Sequence, residues 1–207
     1  MPPNGSKLQT IIGLKKEGNM YYVWCITNKY PNSYWLKYDR KNNPDYLMFL
    51  GNTSVNLPNE SRIIFELDEK ASLNPFLRYD YVMSDAVPLI SKKIASLISN
   101  SKNDDLQLIG ADVYYHGKII GEYYIPVFLN IVDCIDKSKS IFNQTIDDYT
   151  LISFKPNSLG DKMIVKAKGL ELWYPIVQEG FVKICHENKI KGIDFHKEPY
   201  INPLYTT

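Results

Sequence analysis

This sequence lacks the usual signs of catalytic machinery. It contains no GxGxxG, no Walker-type loop and no GxSxG, which removes the commonest dinucleotide, phosphate-cradling and hydrolase signatures. Histidine and cysteine are scarce, with three of each in 207 residues. A zinc site needs three or four such ligands at short paired spacings. The nearest candidates are Cys185 and His186, with His196 further on, and adjacent residues on a helix point about 100° apart. No metal and no cofactor is therefore expected. Cys25, Cys134 and Cys185 are widely separated among apolar neighbours, the pattern of buried hydrophobic thiols in a reducing compartment rather than of a disulfide framework.

Long apolar runs are missing too. Nothing approaches the ~20 residues that span a bilayer, and the N-terminus does not read as a signal peptide. A cytoplasmic protein without a membrane partner is expected. The three sequons at Asn52, Asn59 and Asn143 matter only in a secreted chain and are discounted. Charge of either sign is not in excess: 24 basic against 23 acidic side chains leave a formal net charge of +1. That balance provides no overall field for a polyanion, so nucleic acid is not expected as a partner. No internal repeat or low-complexity tract occurs.

What the chain does have is core material and aromatic rings. Hydrophobic residues make up 44% and aromatic residues 13% of the sequence, and a chain of this size buries roughly 70% of its unfolded surface. Residues 1–19 are polar and carry prolines and glycines. They read as a loose segment with room for a short strand at Leu8–Leu14, ahead of a single α+β domain over 20–207. Its organising stretch is Leu106–Asp136, two strands rich in Val, Ile, Tyr and Phe, folded over His116-Gly117-Lys118, where a residue can take positive φ. Met20–Thr27 is too uniformly apolar to alternate and reads as a strand covered on both faces or inside a curved sheet.

Further strands are expected at Arg62–Leu67, Tyr149–Phe154, Lys162–Lys168, Leu170–Tyr174 and Ile193–His196. Pro75 breaks any long helix through its neighbourhood. Two principal helices are expected. In Val87–Ser99 the residues Leu89, Ile90, Ile94, Leu97 and Ile98 recur at helical spacing, with Asp85 as cap and Pro88 in the first turn. In Ile176–Asn188 the residues Ile176, Val177, Gly180, Phe181, Ile184 and Cys185 form one face. The fold class is then α+β, with a mostly antiparallel, curved sheet and these two helices.

Tyrosine is abundant, 16 residues beside three Trp, and several rings sit among polar residues, as in NKYPNSYWLKYD and DVYYH. Tyr and Trp offer large contact area at low entropy cost with a polar handle, which suits a protein-binding surface. The same rings serve equally well in a core. The candidate partner-binding residues are Tyr34, Trp35, Tyr38, Tyr114 and Tyr115, and that assignment requires the rings to be partly exposed on one surface. A carboxylate-based enzyme using Asp133, Asp136 or His116 is the alternative, and it needs two of them to converge in a cleft. In the plainer reading Asp133 and Asp136 cap a strand end or turn. Self-assembly into a homo-oligomer through the aromatic surface is a third reading.

The segments PLISKKIASLI, Asp112–Tyr115, YYIPVFLNIVDCID and FVKICHENKIKGIDF resemble, in order and spacing, a family of bacterial immunity proteins of polymorphic toxin systems, the one numbered eleven. The matching residues are Ser91 with Leu97, Tyr124, Asn130, Asp133 with Asp136, and Gly192 with Phe195, within about residues 86–198. The resemblance implies a protein that binds and neutralises a cognate toxin, with no catalytic residues carried over.

Overall fold

The computed structural model describes residues 20–201 except 52, 59–60, 101–103 and 171–174. The loose segment expected at 1–19, with its Leu8–Leu14 strand, and most of the strand expected at Leu170–Tyr174 lie outside the described residues. In chain order the elements begin with β1 (Tyr21–Ile26), β2 (Lys37–Tyr38), α1 (Leu47–Leu50), β3 (Ile63–Glu66), α2 (Leu73–Phe76) and β4 (Tyr81–Val82). There follow β5 (Leu89–Ser91), α3 (Lys92–Asn100), β6 (Leu106–Tyr115), β7 (Lys118–Phe128), β8 (Ile131–Val132) and β9 (Ile141–Asn143). The last are β10 (Asp148–Ile152), β11 (Ile164–Ala167), β12 (Pro175–Gln178), α4 (Glu179–Glu187), β13 (Ile193–Lys197) and β14 (Tyr200–Ile201).

The long hairpin of β6 and β7 is the spine of a six-stranded sheet in the order β2-β3-β6-β7-β5-β4, strongly curled into a half-barrel. Its two-residue turn has positive φ at both positions, 48° at His116 and 71° at Gly117. That backbone matches the twist of the strands it joins, and it is the reason glycine stands at Gly117. Most pairings are antiparallel. The exceptions are β3 with β6 and β11 with β8. A second, five-stranded sheet runs β13-β1-β12-β11-β8, and a small third sheet runs β14-β10-β9.

Three apolar clusters follow from this layout. One fills the curled sheet around Phe65, Phe76, Leu89 and Val113. A second lies between the two larger sheets and the helices, around Trp24, Ile94, Phe128 and Phe181. The third joins the far face of the five-stranded sheet to the small sheet, around Tyr21, Val23, Ile152 and Tyr200. β1 explains its own unalternating sequence: it is an inner strand with Trp24 in one cluster and Tyr21 and Val23 in another.

Both principal helices start later than their apolar spacing predicts. Residues 89–91 are strand β5, held between β7 and β4, and α3 begins only at Lys92. Leu89 and Ile90 are consecutive and both fully buried, which a strand covered on two faces allows and one face of a helix does not. Asp85 is not the cap. Ser91 stands at the helix start, its Oγ accepting from the Ile94 N–H at 3.5 Å. Residues 175–178 are likewise strand β12, between β1 and β11, and α4 begins at Glu179 with Phe181, Val182 and Cys185 buried. Pro175 opens that strand rather than a helix, a position where a missing N–H is tolerated.

Candidate functional site

A cleft of about 430 Å³ lies at the junction of the two larger sheets. It exists because β7 outruns its neighbour: β5 pairs with Tyr123 and Tyr124 only, and Ile125, Pro126 and Phe128 beyond them form one wall. Pro126 has no N–H to offer on that unpaired side. The facing walls come from the turn at 83–88, the segment from Tyr46 to Leu50, and Lys166 and Pro175 of the five-stranded sheet.

Ser84 shapes the turn. Its Oγ donates to the Val87 carbonyl at 2.6 Å and accepts from the amides of Val87 and Ala86 at 2.9 and 3.0 Å. The turn is tied to the chain at the cleft mouth, where Leu36 N–H donates to Met83 O and Asp85 N–H donates to Leu36 O. Asp85 then accepts from the Tyr38 amide at 2.8 Å and pairs with Arg40, whose guanidinium lies 5.7 Å from the centre of the Tyr46 ring. This places a charged rim beside two exposed apolar side chains, Trp35 at 43% and Leu47 at 57% exposure.

Deep in the cleft stands a lysine. Lys166 is the third residue of β11 and only 4% exposed. Its Nζ donates to the Leu50 carbonyl at 2.7 Å and lies 5.5 Å from the centre of the Phe128 ring, and all three residues line the cleft. A lysine is almost never this buried unless it is paired. In the sequence MIVKAKG it reads as a solvent-facing position of an alternating strand, so nothing local distinguishes it. Only the assembly of both sheets shows that the Lys166 face of β11 is covered.

The five aromatic candidates do not share one surface. Tyr34 and Tyr38 are core residues, 6% and 4% exposed, so the partial exposure expected of their rings is not what the structure has. Tyr34 packs edge-on against Phe76, with centroids 5.7 Å apart, and Tyr38 against Phe65 at 5.3 Å. Tyr38 Oη donates to the Pro44 carbonyl at 2.6 Å, and burial raises its pKa to about 12. The polar neighbours in NKYPNSYWLKYD belong to the other side of the segment, so they do not make these rings exposed. Trp35 is the exposed ring of the set and lines the cleft. Tyr114 and Tyr115 are half-buried on β6 and do not line it; Tyr115 Oη donates to the Ala71 carbonyl at 2.9 Å.

Asp133, Asp136 and His116 are not gathered in a cleft. Asp133 pairs with Lys155 at 2.8 Å, and that ammonium holds its carboxyl below the usual carboxylate range. Asp136 accepts from the Ser138 hydroxyl at 2.6 Å and the Ser138 amide at 3.1 Å, and the hydroxyl chiefly lowers its pKa. That is a turn cap. His116 occupies the hairpin tip. None of the three lines the cleft or the second, more polar concavity along 66–70. Burial raises the thiol pKa to about 11 at Cys25 and about 12 at Cys134 and Cys185, which keeps them as protonated thiols rather than nucleophiles. Among the described residues no group of three or more His, Cys, Asp and Glu could hold a metal ion. Among them also, no helix is long and apolar enough to cross a membrane.

A second exposed apolar region crosses the small sheet. Ile141 and Ile201 are both cross-strand partners of Leu151 and share its face, with Ile141 at 57% and Ile201 at 55% exposure. The opposite face carries the buried pair Ile152 and Tyr200.

The immunity protein family Imm11 matches residues 25–198. The chain belongs to the Imm11 family. The match takes in the end of β1, the Trp35 segment and the first strands of the curled sheet, none of which falls within the resemblance at 86–198. Every described residue that lines the cleft therefore lies inside the Imm11 region. The family description supports a toxin-neutralising role for Imm11 proteins in general. A search of curated proteins returns no match.

Proposed function

We propose that this protein is a cytoplasmic immunity protein that binds one cognate toxin and neutralises it by covering the toxin's active face. Membership of Imm11 across 25–198 carries the reading. The surface that supports it best is the cleft mouth, where Trp35 and Leu47 stand exposed beside the Arg40–Asp85 pair. Tight interfaces centre on a few aromatic or arginine anchors ringed by polar groups, within about 800 Å² per partner. Trp35 is the anchor. Of the other aromatic candidates, Tyr114 and Tyr115 contribute at the periphery, and Tyr34 and Tyr38 hold the segment beneath. No catalytic step of this chain is required.

The test is co-expression with the product of the neighbouring gene. A stable complex and rescued growth are expected, and Trp35→Ala weakens both. Absence of a complex together with absence of toxicity would overturn the reading. A second reading, self-association, is favoured by the row Ile141–Leu151–Ile201. A solution mass that rises with concentration, and ceases to rise in Ile141→Glu, would support it.

A further inference from the structure

We propose that the cleft binds a neutral primary amide carried on an apolar ring, with the Tyr81 hydroxyl donating to the amide oxygen and the Pro88 and Pro126 carbonyls accepting from its N–H groups. This goes beyond toxin binding at the mouth and does not depend on it. Ligand sites are typically concave, of about 300–1,000 Å³, mostly apolar, and oriented by a few polar groups. The cleft has this form, at about 430 Å³ with Trp35, Phe49, Ile125 and Phe128 among its lining residues. Ser84 spends its hydroxyl on the 84–87 turn, Asp85 is engaged at the rim by Arg40, and Lys166 has partners of its own. None of these three is needed to hold the ligand.

Two features leave polar groups of the lining unmatched. Leu129 N–H donates to Asp105 O, and Phe128 stands opposite Leu106, so the even-numbered residues at this end of β7 direct their backbone polar groups away from β6. On that side Ile90 stands opposite Tyr124, which makes Pro88 and Pro126 the next pair in register that would exchange hydrogen bonds. Neither has an N–H. The ladder stops there, and each carbonyl forgoes the bond it would have accepted; both residues line the cleft. The second feature is Tyr81, which lines the cleft and is 5% exposed. Its hydroxyl has no hydrogen-bond partner among the described residues, and burial raises its pKa, so it stands as a neutral donor. A primary amide offers two N–H donors and one acceptor oxygen, the complement of two carbonyls and a hydroxyl. A ketone of the same shape answers the hydroxyl alone. A carboxylate sets its charge against the two carbonyl oxygens, and the apolar ring gains in all three cases by leaving water.

The test titrates the full-length protein at pH 7.5 with 2-naphthamide and, separately, with 2-acetonaphthone and 2-naphthoate, by calorimetry and by chemical shifts. The amide is expected to bind at least about tenfold more tightly than the ketone or the carboxylate, with shifts at Phe128 and Trp35. Tyr81→Phe removes only a hydroxyl that no protein group bonds, so it is expected to keep the wild-type urea midpoint. In that variant the amide and the ketone should each weaken by about fivefold or more, with the preference between them retained. Equal binding of amide and ketone to the wild type would overturn the proposal. So would no binding of the amide, a carboxylate that binds as tightly, or affinities unchanged in Tyr81→Phe.

Discussion

Asp105 offers the sharpest test of how the two large sheets are held together. It is 3% exposed and stands just before β6, where its carboxylate accepts from the Met163 amide at 2.8 Å and the Ile164 amide at 3.0 Å. Asn130 donates to its other oxygen at 2.9 Å, and the Lys162 ammonium lies 3.9 Å away. One side chain thus joins the curled sheet to β11, the strand that carries Lys166. In Asp105→Ala the buried Ile164 amide and the Met163 amide lose their acceptor. Orphaning a buried donor costs about 1–3 kcal/mol, and a hydrogen bond to a charged group contributes about 1.5–3. Adding one full orphan to partial relief at Met163 gives a loss of about 3–5 kcal/mol. Asp105→Asn can turn its carbonyl to the two amides while Asn130 flips to meet the new amide, so about 1–2 kcal/mol is expected. Urea unfolding followed by circular dichroism reads both as shifts in midpoint at constant slope. A loss below about 0.5 kcal/mol for Asp105→Ala, typical of an inert surface change, would refute the clasp.

Trp35→Ala should leave the urea midpoint within about 1 kcal/mol, because the ring is half out of the protein, yet weaken toxin affinity by about 30-fold or more, as loss of a hot-spot anchor does; calorimetry with the purified toxin checks it. Gly192→Ala should destabilise by more than about 3 kcal/mol, combining positive φ with backbone collision, since φ is 95° there and a Cβ would run into the Tyr81 carbonyl oxygen. Gly117→Ala, at φ 71° with nothing within 4 Å, should cost only about 1–2 kcal/mol, and the same urea series compares the two. Because burial raises the three thiol pKa values from the ordinary 9.0 to about 11 or 12, the unfolded chain ionises first as pH rises. Their contribution is therefore fully present below pH 9 and lost as pH climbs from there through 11 to 12. Urea midpoints at pH 7, 9 and 10.5 test this, and a disulfide reagent at pH 8 should label the folded thiols far more slowly than the unfolded ones.

The strands were legible where their surroundings are symmetric. β1, with both faces covered, and the β6–β7 hairpin, with its positive-φ turn, carry their environment in their own residues. The helix starts were not legible, for one physical reason at both places. Leu89-Ile90 and Ile176-Val177 are apolar because a strand between two neighbours is buried on both sides. Each runs directly into an amphipathic helix, so its residues extend the helical stripe backwards in sequence. Helical periodicity counts apolar residues and does not record which neighbour buries them. Ser91, a capping type at the true start of α3, was the signal available; Asp85 and Pro88 imitated it four to six residues too early.

The candidate site was legible only through Trp35, and its two halves fail to show for opposite reasons. Around Trp35 the sequence is rich in polar residues, yet Tyr34 and Tyr38 turn inward to Phe76 and Phe65 while Trp35 turns out. Composition cannot assign alternate residues to opposite sides when the strand itself, β2, is two residues long. Lys166 fails the other way. Alternation in MIVKAKG directs it to solvent, but the face it occupies is roofed by residues 46–50 and β7, which lie far away in the chain. A charged residue that obeys the local pattern and is buried by distant segments carries no local mark. The cost of holding that ammonium out of water is offset by partners from segments distant in the chain, the Leu50 carbonyl and the Phe128 ring among them, and partners of that kind leave no trace in the residues on either side of a lysine.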